Sequence, residues 1–171
     1  MKMKKIILCL IVMGLSVGAF AQNNEFGVVV GGFNGLSYKR IVNEKFAIQT
    51  DLGVGLQATA FNIEGIAGST HLFDFVINPN FLYNKELKSN IYAFLGMGIN
   101  LGLAQELNIP EMTYGKFGVN AMAGFGFKVQ KLPLSISLDF RPGYAMLFNS
   151  NFDSLINIFD WHLALGARYC F

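Results

Sequence analysis

The chain has 171 residues, of which 53% are hydrophobic and only 14% charged, with a formal charge of +2. This length fits one domain, and the near-neutral balance excludes the strongly basic footprint of a nucleic-acid partner. Beyond the first residues no stretch approaches 18 uninterrupted apolar residues, which excludes membrane-spanning helices.

The chain opens with Met1, Lys2, Met3, Lys4 and Lys5, followed by an apolar run over 6–15 and the small-residue segment ending Ala19, Phe20, Ala21. A basic start, a short apolar core and an A-x-A-like site predict a secretory signal peptide over 1–21, cleaved before Gln22. The run is too short for a spanning helix, which needs roughly 20 residues. Removing Lys2, Lys4 and Lys5 turns the charge of +2 into −1 over a mature domain of 22–171. Cys170 is then the remaining cysteine, so no internal disulfide is expected, and a small inward-facing strand residue is its simplest role.

The mature segment resolves into candidate strands over 26–33, 35–42, 45–58, 71–83, 91–105, 114–129, 133–147 and 159–171. Asn34-Gly35 is expected to turn the first hairpin, since both residues tolerate positive φ. In the third strand Phe46, Ile48, Leu52, Val54 and Leu56 alternate with Ala47, Gln49, Asp51, Gly53 and Gly55. The segment 59–70 lacks alternation and reads as a loop. The fourth strand sets Phe73, Phe75, Ile77, Phe81 and Tyr83 against Asp74, Asn78 and Asn80.

After a charged turn at 84–90, the fifth strand opposes Leu95, Met97, Ile99, Leu101 and Leu103 to Gly96, Gly98, Asn100 and Gly102. A loop over 106–113 leads to the sixth, where Phe117, Val119, Phe125 and Phe127 face away from Lys116, Gly118, Asn120, Gly124, Gly126 and Lys128. The seventh places Leu134, Ile136, Leu138, Phe140, Tyr144 and Met146 against Ser135, Ser137, Asp139, Arg141 and Gly143. A loop over 148–158 precedes the last strand. There Phe159, Trp161, Leu163, Leu165, Ala167, Tyr169 and Phe171 share one face.

Such alternation predicts an all-β fold: an eight-stranded antiparallel up-and-down transmembrane barrel with bulky apolar residues toward lipid and charges in a narrow bore. Short turns at 43–44, 84–90 and 130–132 would face the periplasm, and the longer connections the outside. Pro79 and Pro142 cannot donate to a ladder, so a bulge or local break is expected at each. The competing reading, a soluble lipocalin-like carrier, requires the opposite orientation of every strand.

The signal peptide, the eight alternating strands and the closing Tyr169-Cys170-Phe171 resemble small outer-membrane barrels of OmpA/OmpX type. The segments Gly35-Leu36-Ser37-Tyr38-Lys39 and Asp139-Phe140-Arg141-Pro142-Gly143-Tyr144 look like porin-family barrel proteins of Bacteroidetes type. The resemblance implies a Gram-negative cell outer membrane reached by the Sec pathway, with lipids including lipopolysaccharide as surroundings. It implies that Tyr169 and Phe171 form an assembly signal read by the barrel-assembly machinery.

The residues themselves point to a non-enzymatic protein with a structural or surface-interaction role, monomeric, without cofactors or nucleic acid. An ion-pair network of Asp51, Asp139, Arg141 and Arg168 is expected in the lumen, with Asp139 and Arg168 facing each other. Phe81, Tyr83, Tyr144, Phe159 and Trp161 are expected in aromatic girdles. Lys39-Arg40 lies near a rim, where lipid headgroups or solvent could meet it. The alternating glycine pairs, such as Gly96/Gly98 and Gly124/Gly126, suit small lumen-facing positions better than a phosphate loop, because no helix follows them. No His/Cys cluster has metal-ligand spacing. The enzymatic alternative, a lipid A hydrolase or acyltransferase, would draw on His162, Asp160, His71 and Ser69 or Ser154.

Overall fold

The computed structural model describes the backbone of residues 23–63, 66–107, 113–149 and 152–171, with side chains except at 57–63, 66–70 and 152–156. The leader assigned to 1–21 lies outside the described residues. The strands are β1 (Asn24–Gly31), β2 (Phe33–Ile41), β3 (Phe46–Ile63), β4 (Ile66–Lys88), β5 (Ile91–Glu106), β6 (Thr113–Lys128), β7 (Leu134–Asn149) and β8 (Phe152–Cys170). Each pairs antiparallel with its sequence neighbour, and β1 pairs with β8 from Glu25↔Cys170 to Gly31↔Ala164, closing the ring. The seam is finished by reciprocal bonds between Asn24 and Phe171, 3.0 and 2.8 Å long. Closure removes both sheet edges.

Period-two patterning decides which face each side chain takes. The outer wall carries Phe26, Val28, Ile48, Phe75, Phe81, Leu95, Met97, Leu103, Phe125, Leu138, Trp161 and Leu165, all exposed. Leu95 and Met97 reach 63% and 72% exposure. The inner wall buries Asp51, Asp74, Lys116, Asp139, Arg141 and Arg168. A soluble carrier would have the reverse arrangement.

Several segment boundaries differ from expectation. The first hairpin turns at Gly31-Gly32, and Asn34 and Gly35 already belong to β2. Gly31 has φ +145°, and a side chain there would also strike the Leu163 carbonyl. The Asn34 side chain closes this turn instead of forming it: its Oδ1 accepts from Gly31 N–H and its amide donates to Gly31 C=O, both at 3.2 Å. The stretches 59–70 and 148–158, expected as loops, belong largely to strands: β3 and β4 pair as far as Ile63↔Ile66, and β8 begins at Phe152. The extent of these strands is set by backbone pairing between neighbours, which the side-chain pattern of a single strand does not record.

Both prolines interrupt pairing on one side without shifting register. Pairing of β4 with β5 skips from Ile77↔Leu101 to Asn80↔Gly98, while Pro79 stays paired to Thr50 on β3. Pairing of β6 with β7 skips from Asn120↔Gly143 to Ala123↔Phe140, while Pro142 stays opposite Trp161. These are breaks rather than bulges; the register shifts occur at Glu86/Lys88 and Phe148/Asn149. Beside Pro79, the Asn78 side-chain amide donates to the Ile99 carbonyl at 2.8 Å, supplying the bond that the proline nitrogen lacks. Asn120 leans toward the Ala121 carbonyl in the same way at 3.4 Å.

Orphaning that carbonyl should be measurable. Asn78→Ala is expected to lower stability by about 1–3 kcal/mol in urea unfolding with detergent or lipid present. Pro79→Ala restores a backbone donor, so the double variant should lose less than Asn78→Ala alone.

Candidate functional site

The bore is filled in tiers. Nearest the short turns, Tyr92 and Phe94 of β5 point inward from the same parity as Gly96 and Gly98. Their cross-strand partners are Gly126 and Gly124, and a side chain at either glycine would collide with the facing ring. Met122, Leu82 and Ala47 pack with the pair. Tyr92 OH shares a hydrogen bond with Ser135 Oγ at 2.9 Å.

Lys39 is buried in this tier, its ammonium 4.7 Å from the Tyr92 ring centre and 5.4 Å from that of Phe94. It lies near the turn end but faces the bore, its Nζ donating to Asn84 Oδ1 at 3.4 Å, whereas Arg40, next in sequence and on the opposite face, is exposed. Lys128, expected on the polar inner face, is exposed at the turn end, 6.0 Å from the Tyr92 ring centre.

At mid-height Arg141 of β7 reaches across to β3. Its Nη1 donates to Asp51 Oδ2 at 2.6 Å and to Asn78 Oδ1 at 3.2 Å, and its Nη2 donates to Asp139 Oδ2 at 2.8 Å. All three ionic side chains are at most 2% exposed. Gln49 steadies Asp51 from the same strand, with its amide 3.0 and 3.2 Å from the two carboxylate oxygens. A belt of asparagines continues the network across β4, β5 and β6. The Asn78 amide nitrogen also stands 2.7 Å from Asn100 Oδ1 and from Asn120 Oδ1, which share its second hydrogen, while Asn80 donates to Asn78 and Asn120 to Asn80, both at 2.8 Å. Such buried amides need one another, since an unpaired one has no water to turn to.

Arg168 departs from expectation. Its Nε donates to Ser37 Oγ at 2.7 Å and its Nη1 to Ser137 Oγ at 2.8 Å, and among the described residues no carboxylate lies within bridging distance. The reason is register. Asp139 stands opposite Ala164, and Arg168 opposite Ser135, four residues nearer the turn end. At about 3.3 Å per residue that is roughly 13 Å along the strand. Asp139 is therefore held by Arg141 on its own strand, two residues away.

Toward the loop end, Lys116 of β6 bonds Asp74 of β4 and stands 3.8 Å from Asp160 of β8. Asp74 and Lys116 are visible in the sequence as inward positions, but their pairing across strands is not. His162 also turns inward, against Phe33, with ring centres 6.5 Å apart. His71 is exposed on the outer face, so the two histidines lie on opposite sides of the wall. The side chains of Ser69 and Ser154 lie outside the described residues.

Outside the bore, Phe81, Tyr83, Tyr144, Phe159 and Trp161 are all exposed on the apolar wall. Phe46 stacks on Phe81 at 5.4 Å and meets Tyr83 edge-on at 5.7 Å near the turn end. Trp161 approaches Phe140 at 6.3 Å further toward the loops, and Tyr144 stands opposite Phe159. Tyr169 and Phe171 stack at 6.3 Å beside the seam.

The two arginines separate in stability measurements. Arg141→Met leaves Asp51 and Asp139 buried without their cation, an expected loss of about 3–5 kcal/mol in urea unfolding. Arg168→Met removes bonds to two hydroxyls and should lose about 1–3 kcal/mol. Equal losses would refute the assignment of the brace to Arg141.

No family model matches the chain, and no curated protein matches its sequence. Among solved structures, the fold is similar to neisserial surface protein A (NspA), with a TM-score of 0.55 and 18% identity over 86% of this chain and 93% of that one. Ail, the attachment invasion locus protein of Yersinia pestis, overlaps at a TM-score of 0.35 and 14% identity over 85% of this chain and 93% of its own. The first likeness establishes a shared barrel fold: this chain is an all-β, eight-stranded, closed antiparallel barrel.

Proposed function

We propose that the chain is an integral outer-membrane barrel of a Gram-negative cell, non-enzymatic, with a structural or surface-contact role and a bore closed by its own side chains. The observation that carries this reading is the division of the wall: a continuous apolar exterior against an interior of buried, mutually bonded ionic groups. Hydrocarbon accepts only structures whose backbone bonds close internally, and a sealed ring meets that demand. Eight strands enclose a space just wide enough for side chains, which argues against a diffusion channel.

On this reading residues 1–21 direct export through the Sec pathway, and the domain 22–171 inserts as a monomer among outer-membrane lipids including lipopolysaccharide. The short turns face the periplasm, and the β3–β4, β5–β6 and β7–β8 connections face outward. Tyr169 and Phe171, stacked at the closing seam, serve as the signal for the barrel-assembly machinery.

The protein should fractionate with the outer membrane, migrate differently on gels before and after boiling, and show no steady conductance in planar bilayers. Recovery in the soluble periplasmic extract would overturn the membrane assignment, and a stable open channel would overturn the closed bore. Replacing Tyr169 and Phe171 by alanine is expected to reduce the amount inserted in cells, measured by immunoblot of outer membranes, while refolding in detergent persists.

A further inference from the structure

The apolar outer wall is not smooth. Between the side chains of Ile48, Phe81, Met97 and Val119, the short Pro79 and Ala121 leave a groove of about 660 Å³. Asn80, Gly98 and Asn120 also border it but send no bulk outward, since both asparagine side chains are buried in the bore and glycine has none. The groove lies where Pro79 interrupts the β4–β5 ladder.

Register gives the groove a direction. Arg40↔Ile48, Ile48↔Phe81, Phe81↔Met97 and Met97↔Ala121 are successive partners from β2 to β6, so their side chains form one row across the outer face. Arg40 is one residue from the turn end of β2, Ile41. Met97 lies six residues into β5 from Ile91, and Ala121 lies seven from Lys128, the turn end of β6. The row therefore climbs from the rim into the apolar belt as it crosses the strands. From β3 to β6 it covers roughly 14 Å, at about 4.8 Å per strand. At the low end Arg40 is exposed, and Lys85 is exposed two residues beyond Tyr83 on the outer face of β4. Among the described residues no carboxylate lies within bridging distance of either cation. The neighbouring acids, Glu44 and Glu86, line the mouth of the bore instead.

We propose that this row binds one acidic phospholipid from the leaflet on the short-turn side, its phosphate at Arg40 and one acyl chain laid up the groove over Pro79 and Ala121. A cation at the rim with an apolar trough rising from it matches a molecule that is anionic at one end and hydrocarbon beyond. The long stem of Arg40 can rest on the apolar wall beside Ile48 while its guanidinium stays at headgroup level. Cations at that level favour anionic over zwitterionic headgroups. Elsewhere on the wall a chain meets bulky side chains; here it meets a depression.

The inference rests on the membrane reading proposed above, but the affinities are read on the purified barrel. The protein, refolded in non-ionic detergent and verified by heat-modifiable migration, is titrated with phosphatidylglycerol and with phosphatidylcholine of identical chains, and bound lipid is counted by native mass spectrometry. One phosphatidylglycerol per chain should be retained saturably, more tightly than phosphatidylcholine. Arg40→Gln should weaken phosphatidylglycerol about fivefold and leave phosphatidylcholine unchanged. Ala121→Leu, which fills the trough, should weaken both lipids, whereas Ala167→Leu, the same change on the exposed face of β8, should weaken neither. Equal retention of the two lipids, an unchanged affinity in Arg40→Gln, equal effects of the two alanine substitutions, or a lipid-free dimer closing over the groove would each overturn the proposal. Recovery of the protein from the soluble periplasmic extract would instead refute the membrane reading, and is measured separately on cells.

Discussion

A wall with an apolar outer face must satisfy its backbone donors and acceptors from within, and the rest of this molecule is arranged around that demand. The β1–β8 seam meets it for the two strands that would otherwise be edges. The two prolines are the places where it is hardest to meet. At Pro79 the solution comes from the neighbouring residue: Asn78 lies on the inner face and turns its amide to the Ile99 carbonyl. The same side chain accepts from Arg141 and contacts Asn100 and Asn120, so the repair of the wall and the filling of the bore are one network.

This coupling explains why the bore can hold so many charges. A buried guanidinium between two carboxylates, as Arg141 is, does little for stability relative to an apolar core of the same shape. In a barrel whose exterior is already apolar, however, the interior cannot simply be made apolar as well without losing the difference that tells each strand which way to face. Ionic groups that find partners only on the inside fix that orientation. The asparagine belt extends the same constraint to β5 and β6, which contribute few inward charges.

Orientation and strand number are legible in the sequence because period-two alternation is local: Phe75 and Asp74 differ in face wherever the strand ends. Partnership across the bore is not local. Arg168 and Asp139 lie on adjacent strands and the same face, yet the four-residue offset set by the β7–β8 register keeps them apart. The proximity of Arg141 and Asp51 likewise depends on how the ring closes, which no single strand records. The Tyr92–Gly126 and Phe94–Gly124 pairs did leave a sign: two aromatics on a parity otherwise occupied by glycine and asparagine, matched by glycines on the next strand. Lys39 carries no such sign, since a basic residue near a rim has the same sequence context whether it turns to solvent or to an aromatic face.

The ring tier of Tyr92 and Phe94 and the brace of Arg141 occupy successive levels of the same bore. Two obstructions in series behave differently from one. A transient rotation of either aromatic, or a momentary loosening of the arginine, leaves the other in place, so leakage requires both fluctuations to coincide. Rare events that must coincide multiply their improbabilities, so a bore stopped at two levels opens end to end far less often than either level moves.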